Sequence, residues 1–195
     1  LVAINMANEL VMHGYEVGIF AMDYPENLTP ENFYTVSKVD FSGGLCDKIK
    51  FVLRTMGCNG VKDAFKKALD DFNPDVVHLH NIHSYLSPAV AEMAKKHGSK
   101  VVWTLHDYKL ICPAYTCLRN GEICESCFND KSSVLKKRCM KGSMSASALG
   151  YLESVKWNRK RLQSCTDLFI CPSGFMKEKM IQGGFDENKL TVLCN

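Results

Sequence analysis

The sequence contains no apolar run approaching the roughly 18 residues that a membrane-spanning helix needs, so no transmembrane segment is predicted. Its start, Leu1-Val2-Ala3-Ile4-Asn5, lacks the basic region and cleavage site of a secretory signal. No initiator Met precedes it, which leads us to expect that the chain begins inside a longer polypeptide. There is no internal repeat, low-complexity tract or linker-like stretch, so a single domain over residues 1–195 is expected. A glycine-rich loop of the G-x-G-x-x-G or Walker type is also missing, which removes the usual fingerprints of phosphate cradles. Acid is scarce in one place: Lys131 to Arg161 holds nine Lys or Arg and one carboxylate, Glu153. Such a run is a solvated face or a surface for anionic partners such as lipid headgroups.

What is present is an ordinary globular composition. Of 195 residues, 46% are hydrophobic and 23% charged, and the net charge of +3 is bland. Ten cysteines stand out. Without an export signal they do not imply a disulfide scaffold. Cys46, Cys58, Cys165, Cys171 and Cys194 are scattered among apolar neighbours and read as buried free thiols. The other five, Cys112, Cys117, Cys124, Cys127 and Cys139, cluster with the spacing C-x4-C-x6-C-x2-C-x11-C. Cys124 and Cys127 form a Cys-x-x-Cys that grips one metal ion from a tight turn, and two further thiolates complete a tetrahedron. Structural zinc is expected rather than an iron–sulfur cluster, because nothing implies electron transfer. The competing readings are unligated thiols, adventitious disulfides, or a redox Cys-x-x-Cys.

The pattern elsewhere alternates. Residues 2–13 read as an amphipathic helix closed by Gly14, and Glu16 to Met22 as a strand. Phe33 to Val39 and Asp47 to Thr55 read as a strand and a short helix. Val61, Ala64, Phe65, Ala68, Leu69 and Phe72 form one helical stripe, followed by a buried-type strand at Val76 to His80. Ser87 caps a helix that ends at Gly98, and Val101 to Leu105 is the next strand. A helix over 147–162, a strand at Leu168 to Cys171, a helix capped by Ser173 and closed at Gly183-Gly184, and a strand at Leu190 to Leu193 complete the chain. Short apolar strands separated by helices imply an α/β fold with a doubly wound, mostly parallel sheet, interrupted by a Cys-rich insertion at about 108–142. Ligands in such folds bind beyond the carboxyl ends of strands. That rule selects Asn81 and His83, His106 and Asp107, and Ser173. His80, Asn81 and His83 form a polar cluster for donor or acceptor contact, with no fourth ligand spaced for a metal. His106 on position alone is either structural or functional. Asp107 and Tyr108 either line an acceptor pocket or hold their own loop. His13 and His97 suit helix C-termini and nothing more.

Several stretches together resemble the amino-terminal, Rossmann-like domain of a family 4 glycosyltransferase with the GT-B fold. They are N-M-A-N-E-L-V-M-H-G-Y-E-V-G-I-F-A-M (5–22), P-D-V-V-H-L-H-N (74–81), V-V-W-T-L-H-D-Y (101–108) and C-P-A-Y-T-C-L-R-N-G-E-I-C-E-S-C (112–127). D-L-F-I-C-P-S-G-F-M-K-E-K-M (167–180) and the closing L-T-V-L-C-N complete the set. The resemblance implies a missing first strand and Gly-Gly turn, and a donor-binding domain beyond Asn195, so that the isolated chain is expected to be inactive. It further implies retaining transfer from a nucleotide-sugar donor to a glycan or lipid-linked acceptor in bacterial surface polysaccharide assembly. Action at the cytoplasmic membrane face follows from the same likeness, and no nucleic-acid partner is expected because the basic run is not interleaved with a stacking platform and the sheet pattern matches no standard nucleic-acid module. The matching histidine in relatives contacts the donor sugar, which gives His106 the catalytic role. Relatives often lack cysteine at the position of Cys117, so the expected zinc ligands are Cys112, Cys124, Cys127 and Cys139. Cys194 stands where relatives tend to have proline. The alternatives are a zinc-clamped, non-enzymatic binding module and a GT-B sugar-nucleotide epimerase.

Overall fold

A computed structural model describes residues 2–27, 32–39, 44–57 and 60–194. They fall into two compact units, one running up to Ser99 and the other spanning Lys100–Cys194.

In the first unit, helix α1 (Val2–Met12) buries none of its residues and ends at Gly14, whose φ of 85° is the left-handed conformation of a C-terminal cap. Strand β1 (Ile19–Met22) pairs in parallel with β2 (Phe33–Val36), with Ile19 opposite Phe33 and Met22 opposite Val36. Both strands are shorter than their apolar runs. Helix α2 (Leu45–Thr55) follows, and its Arg54 is buried and donates to the Ser37 carbonyl at 2.6 Å. Helix α3 (Val61–Phe72) buries Val61, Phe65, Ala68 and Leu69, the stripe expected from a 3.6-residue period. Phe65 meets Phe20 of β1 edge-on at 5.0 Å between ring centroids. Just before β1, a Cβ at Gly18 would stand 3.3 Å from the Phe72 ring, so glycine lets the chain pass close to α3.

Strand β3 (Val76–His80) differs from the buried strand expected: Leu79 is buried, but Val76, emerging from the Asn73-Pro74-Asp75 turn, is exposed. A four-residue helix α4 (His83–Leu86) leads to α5 (Ala89–His97). The Ser87 hydroxyl accepts from the Ala89 amide at 3.1 Å, and Gly98 (φ 108°) closes the helix as predicted. Ala91 and Ala94 are fully buried where α5 packs on α3.

The second unit opens with β4 (Lys100–Thr104) and carries its cysteine-rich segment as a folded insertion. A two-residue-per-strand hairpin, β5 (Leu118–Arg119) and β6 (Glu122–Ile123), is followed by a 3-10 turn at Ser126–Phe128 and helix α6 (Ser133–Lys136). The hairpin turns through Asn120 and Gly121, both at positive φ (53° and 83°), as a tight Asn-Gly turn requires.

One helix was expected over 147–162; two are found, α7 (Met144–Lys156) and α8 (Arg159–Cys165). Asn158 breaks the run because its side chain caps α8, accepting from the Arg161 amide at 3.1 Å. Trp157 is buried at the corner beneath the Arg161 guanidinium, 4.4 Å from its ring centroid.

Strand β7 (Leu168–Cys171), helix α9 (Gly174–Gln182) and strand β8 (Leu190–Val192) complete the unit, with a 3-10 turn at Glu187–Lys189. β4 pairs in parallel with β7, and β7 with β8. The intervening helices supply the crossovers that parallel neighbours need. Trp103 stacks on Phe169 at 6.1 Å, and Phe185 meets Phe169 edge-on at 5.3 Å, all three being buried. Asp167 fixes the sheet's entry by accepting from the Val101 amide while its own amide donates to the Val101 carbonyl.

The scattered thiols divide. Cys165 and Cys171 are buried as expected, but Cys46, in the first turn of α2, and Cys194, after the last strand, are exposed. Cys58 lies outside the described residues.

Candidate functional site

The candidate site in the second unit starts where β4 stops. The Leu105 amide donates to the Ile170 carbonyl of β7, and the next residue, His106, leaves the sheet half-buried. The turn that follows is tied to itself and to its surroundings. Asp107 Oδ1 accepts from the Lys109 amide at 2.8 Å, a local turn typical of aspartate. The Tyr108 carbonyl accepts from the amides of Ile111 and Cys112, and its amide donates to the Tyr115 carbonyl. Lys109 reaches inward: its Nζ lies 2.8 Å from Glu153 Oε2 on α7 and donates to the Pro113 carbonyl at 3.0 Å. The two charged side chains are only 11% and 8% exposed. An ion pair so far from water holds only with good geometry, and the second bond, to the Pro113 carbonyl, helps to supply it.

Burial pushes the His106 imidazole below the ordinary histidine value, opposed by the Asp107 carboxylate. A neutral, half-exposed imidazole at a strand tip is able to donate or accept one hydrogen bond to a ligand. Burial, then the nearby Cys117, raises the Tyr108 phenol, so it remains a donor at neutral pH. Ser173, after β7, spends its hydroxyl on α9 by accepting from the Met176 amide at 3.2 Å. Asp107 has one oxygen committed to its own turn in the same way.

The other predicted polar residues belong to the first unit. His80 ends β3 and lies beside His78, with ring centroids 4.3 Å apart. Asn81 is exposed with φ 46°, and His83 begins α4. Alternation along β3 puts His78 and His80 on one face.

Among the described residues, no three His, Cys, Asp or Glu side chains are grouped to hold a metal ion. Cys112, Cys124, Cys127 and Cys139, the expected zinc ligands, lie close enough to act on one another electrostatically, Cys127 feeling the other three and Cys139 feeling Cys124 and Cys112. The neighbouring Cys117 thiol, together with the amides of Cys117 and Ala114 and the Lys131 ammonium, brings the Cys112 thiol down to about 6 against the effect of burial. The Cys112 thiol and burial in turn raise Cys117, the thiol left out of that set.

Cys124 Sγ lies 3.7 Å from Ser126 Oγ and accepts from Lys137 Nζ at 3.6 Å. The Ser126 amide leads in lowering it. Burial pushes Cys127 up to about 11 and raises Cys139.

Some of the basic run is engaged within the unit, while Arg138, Lys141 and Lys160 are exposed. Lys131 donates to the Ile111 carbonyl at 2.6 Å, Lys136 pairs with Asp130 at 2.9 Å, and Arg159 donates to the Gly183 carbonyl at 2.7 Å. Lys156 and Arg161 lie over Trp157. Sequence reasoning missed the Lys109–Glu153 brace, although a single carboxylate in a basic run was its visible signal.

A model of "Glycosyltransferase Family 4" matches residues 1–195. The chain belongs to glycosyltransferase family 4. A curated relative from Klebsiella pneumoniae, described as "Uncharacterized 42.6 kDa protein in cps region", is 30% identical over 121 residues. The match covers 62% of this chain and 26% of that protein, so this family 4 chain aligns with about a quarter of its relative. No solved structure matches.

Proposed function

We propose that this family 4 chain supplies the acceptor-side half of a glycosyltransferase, moving a sugar from a nucleotide-sugar donor to a glycan or lipid-linked acceptor in surface polysaccharide assembly. The observation that carries the reading is His106, a half-exposed imidazole on a braced turn at the end of a parallel strand, in a chain that matches the family over its whole length. The relative's description places it in a cps region, which supports the polysaccharide setting. Transfer proceeds with retention. His106 hydrogen-bonds the donor sugar and stabilises it as positive charge develops on the ring, while the departing phosphate takes the proton of the acceptor hydroxyl. Tyr108, Asp107, His80, Asn81 and His83 contact donor or acceptor, and the reaction takes place at the cytoplasmic face of the membrane.

The test joins this chain to its donor-side lobe and screens radiolabelled nucleotide sugars against membrane-extracted acceptors. Transfer to a glycan or lipid-linked product is expected, with His106→Ala lowering kcat by about 10²-fold or more, as for loss of one transition-state contact. A His106→Ala enzyme with wild-type kcat at saturating donor removes the histidine from the mechanism. Hydrolysis or epimerisation of the donor without acceptor transfer removes the transferase reading itself.

A further inference from the structure

We propose that α7 is a docking helix that lays its outward apolar face into an anionic lipid surface. The inference assigns a surface to the membrane setting proposed above, but its test needs no turnover, so either can fail alone. A helix on the outside of a globular fold normally hides its apolar side chains and shows its polar ones. α7 does the reverse. Its buried residues are Ser147, Gly150 and Glu153, and each has a partner that explains its place. The Ser147 hydroxyl accepts from the Met140 amide at 3.2 Å. A Cβ at Gly150 would stand 3.5 Å from Met140 and 3.6 Å from Pro113, so both side chains pack close to the helix there. Glu153 pairs with Lys109 at 2.8 Å. The inner side of the helix is thus spent on a hydrogen bond, a close contact and an ion pair. The large apolar side chains are left outside: Met144, Leu152 and Val155 are 49%, 52% and 49% exposed. With Ala148 among them they recur at helical spacing and form one stripe along the helix.

Single exposed apolar residues are ordinary, but a stripe turned away from the core marks a contact surface. The charge around it selects the partner. Between Lys131 and Arg161 the one carboxylate is Glu153, and it is buried against Lys109. Arg138 and Lys141 ahead of the helix, and Lys160 beyond it, are exposed. A two-fold copy of this surface would bring like charges together at its rim. Anionic headgroups answer the cations instead, while the acyl region takes up Met144, Leu152 and Val155. The 13 residues of α7 are too few to cross a bilayer, so the helix lies along the interface.

The purified chain is sedimented with vesicles of phosphatidylcholine and with vesicles of equimolar phosphatidylcholine and phosphatidylglycerol. Binding to the anionic vesicles is expected, weakening as salt is added, with little on the neutral ones. Leu152→Gln combined with Val155→Gln should weaken it by about tenfold or more. Both positions are exposed, so the circular dichroism of this variant should match the wild type. Lys141→Gln and Lys160→Gln should each weaken binding about fivefold. The proposal is overturned if the chain stays in the supernatant, if neutral vesicles hold it equally well, or if either set of variants binds like the wild type. A dimer that the double glutamine variant splits would also overturn it, giving the face to a second copy. Joined to its donor-side lobe, a protein that binds vesicles but transfers no sugar sinks the transferase reading and leaves this one standing. Transfer to a soluble acceptor without vesicle binding does the opposite.

Discussion

Two strand tips carry the candidate polar groups, and they are secured in different ways. After β4, the turn His106-Asp107-Tyr108-Lys109 is held by a buried ion pair to α7 and by a ring of backbone bonds to the following loop. After β3, His80-Asn81-Ile82-His83 turns through a left-handed asparagine and is plugged by Ile82, only 3% exposed. The first tip is braced by charge, and a buried apolar side chain anchors the second. A group that must meet a sugar's developing charge benefits from a stiff mounting, because small displacements cost catalysis heavily.

The comparison is broken most directly by Glu153→Ala, which leaves the buried Lys109 ammonium without its carboxylate. A loss of about 3–5 kcal/mol is expected in urea unfolding. A loss no larger than the ~1 kcal/mol of a surface pair sinks the brace. The double replacement Lys109→Met with Glu153→Leu should recover most of the loss, since apolar side chains of similar size are accepted where charges were costly. At the other tip, Ile82→Ala should cost about 2–4 kcal/mol by creating a cavity, measured in the same titration. Asn81→Ala should cost roughly 1 kcal/mol and Asn81→Gly almost nothing, because only the left-handed φ is at issue. A glycine variant as unstable as the alanine one would mean that the Asn81 side chain matters.

The smallest effect is the titration of His106. Its value in the folded chain lies below the unfolded one because burial disfavours the charged ring. Above the ordinary value of about 6.5, folded and unfolded chains are both neutral there and stability is flat. Below it the unfolded chain binds the proton first, so stability falls as the pH drops toward the folded value. Imidazole resonances followed by NMR should show the depressed midpoint. A midpoint at or above the ordinary value would mean that burial does not depress the titration of His106.

Much of this frame was legible from periodicity alone. The stripe Val61, Phe65, Ala68 and Leu69 produced α3, the run Leu168 to Cys171 produced β7 with the same limits, and Ser173 capped α9 as its position suggested. Asn158 misled because helical patterning carries across it, whereas its amide prefers to cap. The Asn120-Gly121 pair was a readable hairpin signal that went unused inside a segment treated as loop. His106 was found by the strand-end rule. Its brace was not, because Lys109 and Glu153 are 44 positions apart and no local pattern brings such residues together. For the thiols, spacing specified how a metal would be gripped, but not the left-handed turns at Tyr115 and Cys117, which have no glycine to announce them.

Gly183, where α9 ends, has a wider consequence. A methyl group there would fall 2.3 Å from Ile111 Cγ2, so the isoleucine occupies the volume that every other residue type would need for its own side chain. Positions 111 and 183 are therefore mutually exclusive in size. Homologues that acquire alanine at 183 should carry a slimmer residue at 111, and a graft of the thiol-bearing segment onto a sister protein should succeed only when both positions travel together.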